Sequence, residues 1–71
     1  MAKTRILIVD DENTLRATME DLLASDDREI VTAASGEEAL AYLEDRPFDL
    51  IIVDLIMPGI DGLQVIDMAQ K

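Results

Sequence analysis

The stretch Phe48-Asp49-Leu50-Ile51-Ile52-Val53-Asp54-Leu55-Ile56-Met57-Pro58-Gly59-Ile60-Asp61-Gly62 leaves this chain few choices. Its aliphatic run Leu50-Ile51-Ile52-Val53 is β-branched in three of four positions, which suits a strand covered on both faces, as strands of a parallel sheet are. Pro47 stands just before the run, and Pro58, Gly59 and Gly62 follow within eight residues of Asp54, so no helix of ordinary length fits between them. The expected strand therefore ends at Asp54 and delivers its carboxylate to a sheet edge. In open α/β sheets, ligands bind in the crevice outside the carboxyl ends of the strands.

Upstream, Arg5-Ile6-Leu7-Ile8-Val9 is a second short aliphatic run, and it too ends in acid, at Asp10-Asp11-Glu12. From Asn13 the spacing changes to that of a helix, with Leu15, Met19, Leu22 and Leu23 on one face and Asn13 as its cap, closing at Asp26-Asp27-Arg28. Glu29 to Ala34 reads as a less apolar strand, the composition of a sheet edge. Ser35-Gly36-Glu37-Glu38 follows the capping-box pattern and predicts a second helix with Ala39, Leu40 and Leu43 inward, stopped by Arg46-Pro47. A third helix is expected from Leu63 through Ala69. There is no internal repeat, low-complexity segment or linker.

Strand, helix, strand, helix, strand, helix with short connections predicts a parallel α/β sheet whose right-handed crossovers bring Asp10, Asp11 and Asp54 to one edge. Two carboxylates about 5 Å apart at an effective dielectric of about 20 repel by about 3 kcal/mol. Either a proton is retained or a hard cation sits among the oxygens, and Mg²⁺ suits one or two carboxylates completed by water and phosphate oxygens. The plainer alternative is that Asp10-Asp11-Glu12 caps the first helix, where negative charge is favoured by the helix dipole. An aliphatic strand ending in acids is also the form of a Walker B element, but the chain has no G-x-x-x-x-G-K-[ST].

Composition removes other classes. The chain has no cysteine and no histidine, which excludes disulfides, thiolate metal sites and thiol nucleophiles. With 16 acids against 6 bases the net charge is -10, and the bases are scattered, so a phosphate backbone is not an expected partner. Ile6 to Val9 is too short for a signal-peptide core or a membrane span, which makes a soluble cytoplasmic protein the expectation. Size sets a further limit. For 7.9 kDa, folding buries about 7,000 Å² by surface scaling, of which about 60% is apolar. At about 25 cal/mol per Å² that contributes about 105 kcal/mol, and ordering 71 residues costs about as much. The balance is near zero, so a lone monomer has little margin.

Ile6-Leu7-Ile8-Val9-Asp10-Asp11-Glu12, Ala34-Ser35-Gly36-Glu37-Glu38-Ala39-Leu40, and Asp49-Leu50-Ile51-Ile52-Val53-Asp54 followed by Met57-Pro58-Gly59-Ile60-Asp61-Gly62 occur in this order and at this spacing. Together they resemble the N-terminal portion of a response-regulator receiver domain of two-component signalling. The resemblance covers all 71 residues. It implies an incomplete flavodoxin-like doubly wound fold with a three-stranded parallel sheet of order 2-1-3, residues 1–71 forming a partial receiver without the fourth and fifth strands. It implies that Asp54 is phosphorylated by a sensor histidine kinase, that Asp11 is a Mg²⁺ ligand, that Asp10 is an acid behind it holding water on the metal, and that Ile56 gives its backbone carbonyl to the metal. Met57, Pro58, Gly59 and Gly62 supply shape and no chemistry, and Arg16 and Tyr42 are expected on solvated or half-buried helix faces.

The departures from the family pattern count as well. The Ser or Thr and the Lys that contact the phosphoryl group in complete receivers lie on the fourth and fifth strands, which these residues do not include. Phosphatases that form an aspartyl-phosphate want a second Asp two residues after the nucleophile, where this chain has Ile56. The stronger alternative is a half-receiver that is not phosphorylated and serves as a self-associating module. In the 2-1-3 order the missing fourth strand would lie beside residues 49–54, so a homodimer through that bare edge is expected.

Overall fold

The computed structural model describes residues 3–54 and 65–67. The elements defined among them are β1 (Thr4–Val9), α1 (Asn13–Leu23), β2 (Arg28–Ala33), α2 (Gly36–Asp45) and β3 (Leu50–Val53). The strands form one parallel sheet, as the alternating pattern predicts, of order β2-β1-β3, as the resemblance implies. Ile6 is in register with Leu50 and Val9 with Val53, while Val9 also faces Ala33. All three strands therefore finish at the same level. Beyond that level Asp10 N donates to Ala33 O at 3.1 Å and Asp54 N to Val9 O at 2.9 Å, so both acids leave the sheet under backbone control.

Alternation along the strands separates two faces. Leu7, Val9 and Ala33 pack with Ala39 and Val65 into the buried core, extended by Val31, Leu43, Phe48, Ile51 and Val53. This is the face that α2 covers. Burying side chains as completely as Leu7, Val9 and Val65 stabilises by about 1.5–3 kcal/mol each. Ile6 and Ile8 alternate to the other face and are also buried, on the side left to α1. Among the described residues α1 packs on β1 and β2.

Burial on both faces belongs to β1 and not to the 50–53 run that the composition marked for it. No residue from Ile6 to Val9 is more than 2% exposed, whereas Leu50 is 47% exposed and Ile51 to Val53 are half-buried. The reason is position: β1 has a strand on each side, while β3 has one on a single side among the described residues.

The predicted apolar face of α1 is split. Met19 and Leu23 are half-buried, but Leu15 is 46% and Leu22 77% exposed. At about 100° per residue Leu15 and Leu22 lie about 20° apart, on the far flank of the stripe from Leu23. The cap also differs: Glu12 is the N-cap residue, without a side-chain cap bond, because its carbonyl already accepts from Arg16 N at 3.1 Å. Asn13 is the first helical residue. In α2 the expectation holds, with Ser35 Oγ accepting from Glu38 N at 3.2 Å and Glu37 and Glu38 at the positive end of the helix dipole. Arg46 N closes that helix on Tyr42 O, immediately before Pro47.

Of the expected third helix, residues 65–67 are helical, and Val65 is fully buried. The turn Met57-Pro58-Gly59, Gly62 and the carbonyl of Ile56 lie outside the described residues. No helix among the described residues is long and apolar enough to cross a membrane.

Candidate functional site

The carboxyl ends of β1 and β3 are neighbours, so the residues that follow Val9 and Val53 are neighbours too. Asp10, Asp11 and Asp54 each offer a carboxylate oxygen, and these oxygens all lie within 4.8 Å of one another. The three differ in surroundings. Asp10 is buried, Asp54 is half-buried and Asp11 is exposed. Asp10 Oδ1 accepts from Glu12 N at 2.9 Å, a bond that closes the turn out of β1 and commits one oxygen of the buried acid. The helix-capping alternative therefore holds for one acid: Asp10 takes the amide of the N-cap residue Glu12, while the Glu12 side chain makes no cap bond of its own.

Three like charges at such separations repel by about 3 kcal/mol per pair at an effective dielectric of about 20. The donor set fits a hard divalent cation: it consists of oxygens alone, two of its carboxylates are accessible in part or whole, and the third is braced behind them by a backbone amide. Of the residues expected at this site, the structure brings together Asp10, Asp11 and Asp54, while Ile56 lies outside the described residues.

Arg16 is the residue whose part the sequence did not reveal. It is half-buried, as expected for a helix face, but its Nη1 donates to the Asp10 carbonyl at 2.8 Å and its Nη2 to Asn13 Oδ1. Its spacing of three from Asn13 was a signal, since such pairs are neighbours on a helix. Its reach back to Asp10 depends on the angle at which α1 leaves the strand. Tyr42 stands exposed on α2, as expected.

Residues 6–71 match the family described as response regulator receiver domain. A probable transcriptional regulator ycf27 of Cyanophora paradoxa is 41% identical over 97% of this chain and 29% of its own length. The chain spans less than a third of the length of the curated relatives it matches. Among solved structures, chemotaxis protein CheY4 of Vibrio cholerae superposes with a TM-score of 0.88 at 35% identity, covering 97% of this chain and 57% of that one. Response regulator protein TrrA of Thermotoga maritima, solved in complex with Mg²⁺ and BeF, gives 0.80 at 47% identity, covering 87% of this chain and 54% of that one. TrrA has also been crystallised with histidine kinase ThkA, a structure that gives 0.81 at 45% identity over 90% of this chain and 55% of that one. The parallel order β2-β1-β3 with alternating helices is thus that of the flavodoxin-like receiver fold, and the acidic cluster is of the type found at receiver phosphoacceptor sites. The chain belongs to the response-regulator receiver domain family.

Proposed function

We propose that Asp54 is the phosphoacceptor of this receiver, taking a phosphoryl group from the phosphohistidine of a sensor histidine kinase. The observation that carries this reading is the convergence of Asp10, Asp11 and Asp54 within 4.8 Å at the carboxyl edge of the sheet. In the step itself an Asp54 oxygen attacks phosphorus while the P–N bond breaks, its electron pair passing to the imidazole nitrogen, and an acyl phosphate remains on the chain. Asp11, Asp54 and the Ile56 carbonyl are the assigned Mg²⁺ ligands, with Asp10 braced behind them by the Glu12 amide. When bound, Mg²⁺ neutralises charge on the phosphoryl oxygens, where most of the acceleration of such a transfer originates. That TrrA has been solved with Mg²⁺ and with a histidine kinase supports a divalent cation and a kinase as the partners of this site. A receiver is a signalling module and not a classical enzyme. In this reading residues 1–71 form its portion from first strand to third helix, in a cytoplasmic protein whose partner is the kinase, with no direct contact with nucleic acid or membrane.

A second reading has its own observation. The outer edge of β3 carries Leu50 at 47% exposure, and no described strand pairs with it. A self-associating half-receiver that pairs through residues 49–54, its acids idle, accounts for that edge.

Incubation with a small phosphodonor such as phosphoramidate, with and without Mg²⁺, separates the two. Mg²⁺-dependent labelling that maps to Asp54 and disappears in Asp54→Asn supports the acceptor. Labelling that persists in Asp54→Asn assigns another residue, and none at all leaves the structural module. In a polypeptide of these 71 residues labelling is slow, because no Ser or Thr follows Asp54 and charge-assisted contacts to phosphoryl oxygens are worth about 1.5–3 kcal/mol each. Ile56 has no side-chain group to orient water, so the acyl phosphate persists once formed.

A further inference from the structure

Three acids in succession, Asp10-Asp11-Glu12, join a buried strand to a helix. Asp10 is held twice: its amide donates to Ala33 O, and its carboxylate accepts from the Glu12 amide. Asp11 has no such support. It is exposed, and no hydrogen bond from a described residue holds its carboxylate, so its place beside Asp54 is set by the backbone on either side. The Arg16 side chain spans that stretch, from the Asp10 carbonyl to the Asn13 side chain. Nη1 donates to the Asp10 carbonyl at 2.8 Å, Nη2 donates to Asn13 Oδ1, and the Arg16 amide donates to Glu12 O at 3.1 Å. One rigid guanidinium fork thus ties the residue before Asp11 to the first residue of α1.

We infer that Arg16 is a positioning residue, bridging Asp10 and Asn13 so that Asp11 is presented to a divalent cation beside Asp54. The inference rests on the metal reading given above. A lysine keeps the charge but offers a point donor in place of a planar fork and does not span both acceptors in the same way. Groups that orient metal ligands from behind are worth about 10–100-fold in metal affinity.

The sign of the effect tests the idea. If Arg16 were only a nearby charge, Arg16→Met would tighten cation binding, because it removes a positive charge from beside the site. As a positioning residue it does the opposite. Mn²⁺ titrations followed by electron paramagnetic resonance, with displacement by Mg²⁺, are expected to show binding weakened about tenfold or more in both Arg16→Met and Arg16→Lys. Asn13→Ala, which removes one acceptor and leaves Arg16 in place, weakens it by less, and it decides the matter should the Arg16 variants not keep the wild-type far-ultraviolet circular dichroism. Equal or tighter binding in Arg16→Met, or wild-type affinity in Arg16→Lys, overturns the inference. Hydrogen exchange of the metal-free protein supplies a readout that does not depend on the cation: the Asp11 and Glu12 amides exchange faster in Arg16→Met and in Asn13→Ala. Unchanged exchange in both overturns the positioning role even if wild type binds no Mn²⁺, a result that by itself would refute only the metal reading.

Discussion

Arg5 donates from Nη1 to Glu29 Oε2 at 2.5 Å across the β1–β2 pair, in which the two residues are register partners. The same guanidinium donates from Nε to Pro47 O at 3.2 Å and lies 4.6 Å from the centroid of the Phe48 ring. Arg5 N donates to Asp49 Oδ2 and Asp49 N to Arg5 O, each at 2.8 Å. One residue therefore joins β1 to β2 and to the segment leading into β3, at the end of the sheet away from Asp10 and Asp54. By fixing where the strands start, it fixes where Asp10 and Asp54 emerge.

Arg5→Ala is accordingly expected to cost about 2 kcal/mol, combining a charge-assisted bond discounted for its exposure with the cation–π contact. Arg5→Lys recovers part of this, since it keeps the charge and loses the second donor. Urea unfolding reads the difference directly, and an Arg5→Ala midpoint equal to that of wild type would remove the hub from the account of the fold.

The turn between α1 and β2 has a pH signature. The Ser25 hydroxyl donates to Asp27 Oδ1 at 2.5 Å and, with the backbone amide of Asp27 and the charge of Arg28, holds the Asp27 carboxyl below its ordinary 3.8. Because the folded value is the lower one, the contribution to stability is fully present above 3.8 and is lost as pH falls through the folded value. A carboxyl-carbon NMR titration is expected to give an Asp27 midpoint below 3.8, and Ser25→Ala to move it upward. No movement in Ser25→Ala would show that the hydroxyl is not the cause.

Mg²⁺ should stabilise the folded chain, since it relieves repulsion that exists only when the three carboxylates are assembled. Linkage gives about 2.7 kcal/mol at a hundredfold excess over the dissociation constant, which shifts thermal unfolding visibly. Melting curves in Mg²⁺ and in Na⁺ at matched ionic strength are expected to differ for wild type and to coincide for Asp11→Asn. Coincidence in wild type would show that the cluster does not hold the ion.

What the sequence made legible was what local patterns determine. Two aliphatic runs ending in acid, separated by a complete strand and two helical periods, required Asp10 and Asp54 to share an edge. Ser35 declared its cap because the bond to Glu38 spans only three residues. The features that escaped depend on packing across the chain. Both aliphatic runs are equally apolar, so composition did not show that β1, with a partner on each side, would be the one enclosed on both faces. Leu15 and Leu22 satisfied helical spacing as well as Met19 and Leu23 did, and what separates them is which flank of α1 meets the sheet. Arg5 and Arg16 are long side chains whose acceptors are set by tertiary structure: Arg5 reaches Pro47 across 42 positions, and Arg16 reaches a carbonyl six residues back.

The outer edge of β3 leads to the last prediction, the oligomeric state of a polypeptide of these 71 residues. No described strand pairs with that edge, and from Leu50 to Val53 it has no Lys, Pro or charge, the devices that keep exposed edges from pairing. Leu50 on it is 47% exposed, and Leu15 and Leu22 are two further exposed leucines, on α1. A fold of this size has a stability balance near zero without further burial. Pairing two β3 edges about a two-fold axis would satisfy their backbone groups and cover Leu50 and Ile52 in one step. Mass measurement in dilute solution is expected to give a dimer for wild type. Ile52→Lys, which places a charge on the half-buried face of the edge strand, should give a monomer that melts earlier or is unfolded. A folded wild-type monomer at micromolar concentration would sink the edge-pairing reading. A dimer unaffected by Ile52→Lys would move the interface to another surface, with exposed Leu22 on α1 the next position to substitute.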